Sequence, residues 1–300
     1  MSSKIFSGID SLPRGTASEE VTPGCIVLEG GAFRGLYTEG VLDALMEAGI
    51  NFECTIGVSA GAMNGICYVS GQIGRAARFS LRYRHDSRYV SWAKIFQRGG
   101  PLNYRFALQH IPGDPLDEER FYDKRKRFVA EATNCWTGRP AYFDRDTCGD
   151  IFQAICASAG MPYVSRIVLV DGIPCLDGGC SDKLPYKWAM EEGYKKIVVL
   201  RARTADWRYP NEKPSKFARL YYRPYPRFAE TLEWEHARAN REYEEVDRLG
   251  KEGRLFVISP SVYLPVKLLE PDMEKLGALY YLGYDDGKNV IGDLKRYLNN

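Results

Sequence analysis

A serine held between glycines at G-x-S-x-G spacing is an arrangement that can turn a hydroxyl into a nucleophile. This 300-residue chain carries one, Gly57-Val58-Ser59-Ala60-Gly61. Gly57 and Gly61 suit a sharp strand-to-helix turn that pushes the serine side chain out to where a substrate can reach it. The stretch before it, Phe52-Glu53-Cys54-Thr55-Ile56, is short, apolar and β-branched enough for a buried strand. The stretch after it, Ala60 to Val69, is rich in small residues that can pack tightly as a helix. Five-residue patterns with two glycines arise by chance, so it is this context that makes Ser59 a candidate nucleophile. Attack on a carbonyl creates an oxyanion, which needs preorganised donors. Gly30-Gly31-Ala32-Phe33-Arg34-Gly35 is the obvious source. A glycine-rich loop entering a helix leaves backbone N–H groups unpaired at the positive end of the helix dipole. A dinucleotide loop would need glycine where Ala32 stands, so that reading fails.

A neutral hydroxyl also needs a base. Asp177 follows a hydrophobic hairpin strand and precedes Gly178 and Gly179, which would fix a carboxylate on a loop with room around it. A triad in the order serine, acid, histidine would instead need a late histidine. His85 and His110 lie between Ser59 and Asp177, which leaves His236. It sits in Glu233-Trp234-Glu235-His236-Ala237-Arg238, inside a charged helical stretch where a solvated histidine is the commoner case. On the residues alone, both bases remain open.

Elements must hold these residues together. Cys25-Ile26-Val27-Leu28 reads as a strand ending at the first glycine loop. Val41, Leu42, Leu45 and Met46 then recur at helical spacing up to Gly49. The serine strand, its turn and its helix repeat the pattern. Such alternation predicts an α/β fold, a mostly parallel central sheet flanked by helices on both faces. Catalytic groups on such sheets gather at the carboxyl ends of strands, where both glycine turns fall. Phe128 to Ala132 and Ala141 to Phe143 read as a strand pair, and Ile151 to Ala159 as a helix. Arg166 to Val170 and Ile173 to Leu176 form a hairpin around Asp171-Gly172. Further strands are expected at Lys196 to Leu200 and Arg254 to Ile258. One long charged helix is expected from Arg227 to Leu249, and two closing helices at Met273 to Leu282 and Ile291 to Leu298. Residues 1–23 read as a flexible leader and 24–300 as a single domain, with a motif-bearing core at 24–205 and a helical C-terminal portion at 206–300.

Composition narrows the class. The chain is 45% hydrophobic and 27% charged, with a net charge of +2, as in an ordinary globular protein. No run reaches the roughly 18 apolar residues of a membrane span, and Met1 to Glu20 has no apolar signal region. Eight cysteines lack any C-x-x-C spacing, and several fall in apolar patterns. Reduced, buried thiols and a cytoplasmic location follow, with no metal site and no cofactor expected. Two basic, aromatic stretches stand out. Residues 78–105 hold seven Lys/Arg against Asp86, with Tyr83, Tyr89, Trp92, Phe96 and Tyr104 between them. Residues 201–228 hold eight Lys/Arg against Asp206 and Glu212. A solvated basic face is the usual meaning of such runs; peripheral contact with an anionic membrane surface is the functional alternative. Nucleic acid is disfavoured because no binding motif accompanies the charge.

Together, Gly30-Gly31-Ala32-Phe33-Arg34-Gly35, Gly57-Val58-Ser59-Ala60-Gly61 and Asp177-Gly178-Gly179, in that order, resemble the patatin-like phospholipase family over about residues 24–205. Ser59 to Asn64 and Ala157-Ser158-Ala159-Gly160-Met161-Pro162 are similar to its bacterial branch. The resemblance implies a three-layer sandwich and a serine lipid acyl hydrolase, a phospholipase A or lysophospholipase-like esterase acting on lipid or acyl-ester substrates. It implies a Ser59–Asp177 dyad without histidine, an acyl-enzyme, and an oxyanion hole from the loop holding Gly30, Gly31, Ala32 and Arg34. Arg34 matches the family's basic position, where it would steady the loop or a lipid phosphate. Ala32 departs from the glycine that many members carry, and a positive φ there would be strained. The competing expectations are an α/β-hydrolase esterase with His236 as base, and a non-catalytic lipid-binding or regulatory protein.

Overall fold

The strand expected before the first glycine loop forms because Cys25, Val27, Ile26 and Leu28 are all apolar and are buried alternately on two faces of a sheet. A computed structural model describes residues 4–91, 93, 100–109, 111–210 and 217–300. Trp92, Phe96, His110 and Glu212, named above, lie outside the described residues. In chain order the strands are β1 (Gly15–Thr16), β2 (Thr22–Leu28), β3 (Phe52–Val58), β4 (Gln72–Ile73), β5 (Arg127–Asn134), β6 (Arg139–Asp144), β7 (Val168–Val170), β8 (Ile173–Asp177), β9 (Ile197–Leu200) and β10 (Phe256–Ile258). The helices are α1 (Gly35–Glu47), α2 (Ala60–Val69), α3 (Arg75–Tyr83), α4 (Tyr104–Gln109), α5 (Glu118–Phe121), α6 (Ile151–Ser158), α7 (Tyr186–Glu191), α8 (Phe217–Tyr221), α9 (Pro226–Glu233), α10 (Glu235–Lys251) and α11 (Met273–Asn299).

Strands β10, β9, β2, β3 and β5 run parallel in that order. The expected parallel sheet is therefore present, with β6, β8 and β7 added antiparallel. The register around β5 explains the site. One edge of β5 is taken by β6. The other is shared end to end: β3 pairs with Arg127–Glu131 and β8 with Ala132–Asn134. Val58 lies opposite Glu131, and Asp177 lies opposite Ala132. Two strands running in opposite directions thus meet head to head, β3 ending at Val58 just before Ser59 and β8 ending on Asp177.

Helices cover both faces. On one, Ile26 and Leu28 pack with Leu36 and Val41 of α1 and with Leu276 and Tyr280 of α11. On the same face α2 and α6 cover Phe128, Ala130 and Ala132. On the other, Val27 and Ile56 pack against Tyr186 of α7 and Tyr243 and Val246 of α10. This is a three-layer α/β sandwich. Of residues 1–23, read from sequence as a flexible leader, 4–21 lie against this body, with Phe6, Ile9, Leu12 and Ala17 buried, and 22–23 belong to β2.

Two helix expectations need correction. The single helix at 227–249 is two, α9 and α10, broken at Trp234, whose φ of −108° and ψ of 10° leave the helical region. The two closing helices are one, α11. Glycines between the two expected stretches are part of its packing surface. A Cβ on Gly283 would come within 2.0 Å of the Tyr37 carbonyl oxygen, and one on Gly40 within 2.1 Å of that of Tyr280. Small residues there let α1 and α11 cross backbone against backbone.

Candidate active site

Ser59 occupies the turn between β3 and α2 at φ 54° and ψ −120°, a conformation rarely adopted by residues other than glycine. The flanking glycines allow it by close approach. A Cβ on Gly57 would lie 2.5 Å from the Ala62 backbone, and one on Gly61 would lie 2.3 Å from the Leu28 carbonyl oxygen. The Ser59 N–H donates to Ser158 Oγ at 2.8 Å, which fixes the turn to the end of α6. The Ser59 hydroxyl donates to Asp177 Oδ2, also at 2.8 Å, a distance for direct proton transfer.

Asp177 is held from several sides. Its Oδ1 accepts from the Gly179 N–H at 2.9 Å, and its N–H donates to the Gly160 carbonyl at 3.0 Å. Its own carbonyl accepts from the Thr133 hydroxyl at 2.8 Å. Gly178 must be glycine because the buried Glu131 side chain occupies the space a Cβ would need. Burial pushes the Asp177 carboxyl up to about 6, against the lowering effects of the Ser59 hydrogen bond, the Lys183 charge and the Gly179 N–H. Lys183 Nζ bridges the Gly179 carbonyl at 2.9 Å and Glu235 at 2.6 Å. A carboxylate lifted from its ordinary 3.9 is a better base, yet it stays ionised at neutral pH.

The first glycine loop closes over the serine. A Cβ on Gly30 would sit 2.8 Å from Ser59 Cβ, so only glycine lets the loop come this near. Ala32 has φ 48°, the strained left-handed conformation that its side chain makes costly, by about 1–2 kcal/mol. Among the described residues, no protein acceptor takes the N–H groups of Gly30, Gly31, Ala32 or Ala60. These are the donors an oxyanion beside Ser59 could use. Arg34 leaves its buried Nε unpaired, and burial together with the nearby Arg203 charge lowers its pKa.

Ser59 and Asp177 face a cleft of about 550 Å³ whose walls include Arg34, Arg203 and Lys183 and the apolar Tyr163, Leu232 and Leu268. A second, smaller cavity of about 60 Å³ also borders Ser59 and Ala32; its lining is mostly apolar but includes Glu39, Asn64, Arg75 and Ser80. His236 stacks on Tyr209 with ring centroids 4.3 Å apart and does not border the cleft. The hydroxyl of Ser59 is bonded to Asp177, and His236 stands away from it. Among the described residues no cluster of His, Cys, Asp or Glu has the makings of a metal site. The eight cysteines are unpaired, six of them buried. Ser158, Thr133, Lys183 and Glu235 all bear on the site, yet sequence reasoning gave none of them a role. Only Ser158 carried a signal, as part of the Ala157–Pro162 stretch.

Comparison with known proteins adds lineage to this geometry. The patatin-like phospholipase model matches residues 26–190, and a domain of unknown function (DUF6363) matches 225–299. The uncharacterized protein YjjU of Escherichia coli (strain K12) is 33% identical over 182 residues, 59% of this chain and 51% of that protein. A lysophospholipase nte1 of Aspergillus terreus is 28% identical over 174 residues, 53% of this chain and 10% of that protein. The match thus spans half, or far less, of these relatives' own length. Among solved structures, VipD from Legionella pneumophila is similar with a TM-score of 0.46 and 17% identity, over 95% of this chain and 67% of that one.

Proposed function

The chain belongs to the patatin-like phospholipase family, and on that premise we propose that it is a serine lipid acyl hydrolase in which Ser59 attacks and Asp177 is the base. One observation carries this reading: the 2.8 Å hydrogen bond from the Ser59 hydroxyl to Asp177, on the floor of an open cleft. Asp177 takes the hydroxyl proton as Ser59 bonds to the ester carbonyl carbon. The N–H groups of Gly30, Gly31, Ala32 and Ala60 receive the developing oxyanion. The alcohol leaves with the proton from Asp177, and the same carboxylate then activates water to release the acid. Arg34 and Arg203 suit an anionic headgroup in the cleft. The enzyme works in the cytoplasm on this reading, in keeping with its unpaired thiols.

The rim supports contact with a lipid surface. Phe217, Leu220 and Tyr221 are exposed, and Phe217 and Tyr221 lie against Tyr163 at the cleft wall, with ring centroids 5.4 and 5.2 Å from its own. Arg219, Arg223 and Arg227 of the same stretch are exposed, with Arg219 paired to Glu233 and Arg227 to Glu230. Aromatic tips and arginine stems suit an anionic interface.

The dyad is tested with p-nitrophenyl esters. Ser59→Ala and Asp177→Asn should each reduce kcat by about 10³-fold or more, while His236→Ala keeps activity near wild type. Loss of activity in the histidine variant, with Asp177→Asn active, would make His236 the base instead.

A further inference from the structure

The left-handed turn at Ala32 has to be held by its surroundings, because strained backbone persists only where neighbouring structure leaves it no alternative. The peptide that follows Ala32 is fixed at both ends. Its carbonyl accepts from the Gly35 N–H of α1, and its N–H, that of Phe33, donates to the Leu268 carbonyl at 3.3 Å. Leu268 belongs to residues 259–272, the segment between β10 and α11. This segment also lines the cleft, through Leu268 and Leu269.

The segment is itself tied down. The buried Glu270 accepts from the N–H groups of Lys267 and Asp272, both at 3.1 Å, which closes a turn. Asp272 then caps α11 by accepting from the Glu274 and Lys275 N–H groups. Arg84, buried at the end of α3, reaches in from the other side. Its Nε donates to the Glu270 carbonyl at 2.8 Å and its Nη2 to the Leu269 carbonyl at 2.7 Å. The same guanidinium lies over the Phe33 ring, 4.8 Å from the centroid, and Tyr89 packs edge to face against that ring. One rigid, planar group thus grips two successive carbonyls and an aromatic face together, which a flexible ammonium could not do.

We propose that residues 259–272 are a strap that holds the oxyanion loop in its donor-presenting form, with Arg84 as the positioning residue that clamps strap to loop. This gives a role to part of the region, 225–299, that matches the domain of unknown function. The inference rests on the esterase reading above and adds to it what keeps the oxyanion donors in place. Arg84 acts through Phe33 and the strap carbonyls, not on the substrate. Because the strap bears on the loop and not on Asp177, loosening it should slow the chemistry and leave the base alone.

Hydrolysis of p-nitrophenyl esters by Arg84→Met, which keeps the side chain's reach and loses its donors, tests this. kcat should fall by about 10–100-fold, as when oxyanion donors are misplaced, with KM unmoved. The acid limb of the pH profile, set by Asp177 near pH 6, should also stay where it is. Arg84→Lys, a point charge that cannot bridge both carbonyls, should lose less, and it carries the comparison if Arg84→Met does not fold. The strain supplies a second readout. Glycine accepts the φ of 48° at little cost, so in an Ala32→Gly background the loss from Arg84→Met should shrink by about fivefold. A merely structural role would lower kcat by the same factor in both backgrounds. That result overturns the proposal, as does an unchanged kcat in folded Arg84→Met or a shifted acid limb. In each of these cases, wild-type turnover with a fluorophosphonate label on Ser59 leaves the esterase reading standing. Wild type with neither turnover nor label removes that reading and this one with it.

Discussion

Ser59 carries two burdens at once, a strained backbone and a hydroxyl bonded to a carboxylate. The first is stabilised by Ser158, the second by a network that sets how readily Asp177 accepts a proton. With its pKa near 6, Asp177 is protonated below that pH and cannot act as a base. Ester hydrolysis should therefore rise with pH through about 6 and level off above about 7. Lys183 lowers the Asp177 pKa and Glu235 raises it. Lys183→Met removes the first charge and exposes the second, so the acid limb of kcat/KM should move to higher pH. A profile flat across about pH 5 to 8 would contradict this. Ser59 was legible because its glycines are sequence neighbours, and the strain at Ala32 was foreseeable from the missing glycine. Ser158, 99 positions from Ser59, and Lys183 were not, because no local pattern ties a lone serine or lysine to a distant backbone.

At the scale of elements, the head-to-head meeting of β3 and β8 on one edge of β5 brings the two motifs together. The strands themselves were legible from apolar runs and the Asp171-Gly172 turn. Their shared edge was not, since pairing depends on register that composition does not encode. The same limit applies to α11, read from sequence as two helices at 273–282 and 291–298, with Gly283 and Gly287 between them. Glycine weakens an isolated helix, but here it permits an approach that any side chain would block. Gly292 on the same helix is exposed, with only the Arg296 guanidinium near the place of a Cβ. The two positions therefore predict opposite outcomes. Gly292→Ala should stabilise by up to about 1 kcal/mol through helix propensity. Gly283→Ala should destabilise by about 1–3 kcal/mol because the crossing must open. Thermal melts of the pair decide it; equal shifts of the same sign would mean that the α1–α11 contact does not depend on glycine.

At the scale of the molecule, a half-buried dyad, a cleft with two arginines and an exposed aromatic rim lie on one side of the sheet's carboxyl ends. Among the described residues no helix is long and apolar enough to cross a membrane. The proposed lipid contact is made through the rim. Co-sedimentation should show binding to phosphatidylglycerol vesicles that weakens with salt and with Leu220→Asp, and much weaker binding to phosphatidylcholine. Equal binding to both vesicle types would leave the basic rim without a role. The alternation of strands and glycine turns made the α/β class legible, whereas the cleft required the folded chain, because its walls come from segments more than 200 residues apart. The proposed chemistry depends on Ser59 being an activated nucleophile. Intact-mass measurement after exposure to a fluorophosphonate should show one adduct on folded wild type, mapped to Ser59, none on Ser59→Ala, and little on Asp177→Asn. Folded wild type that takes up no adduct, or takes it up at another residue, would contradict the account.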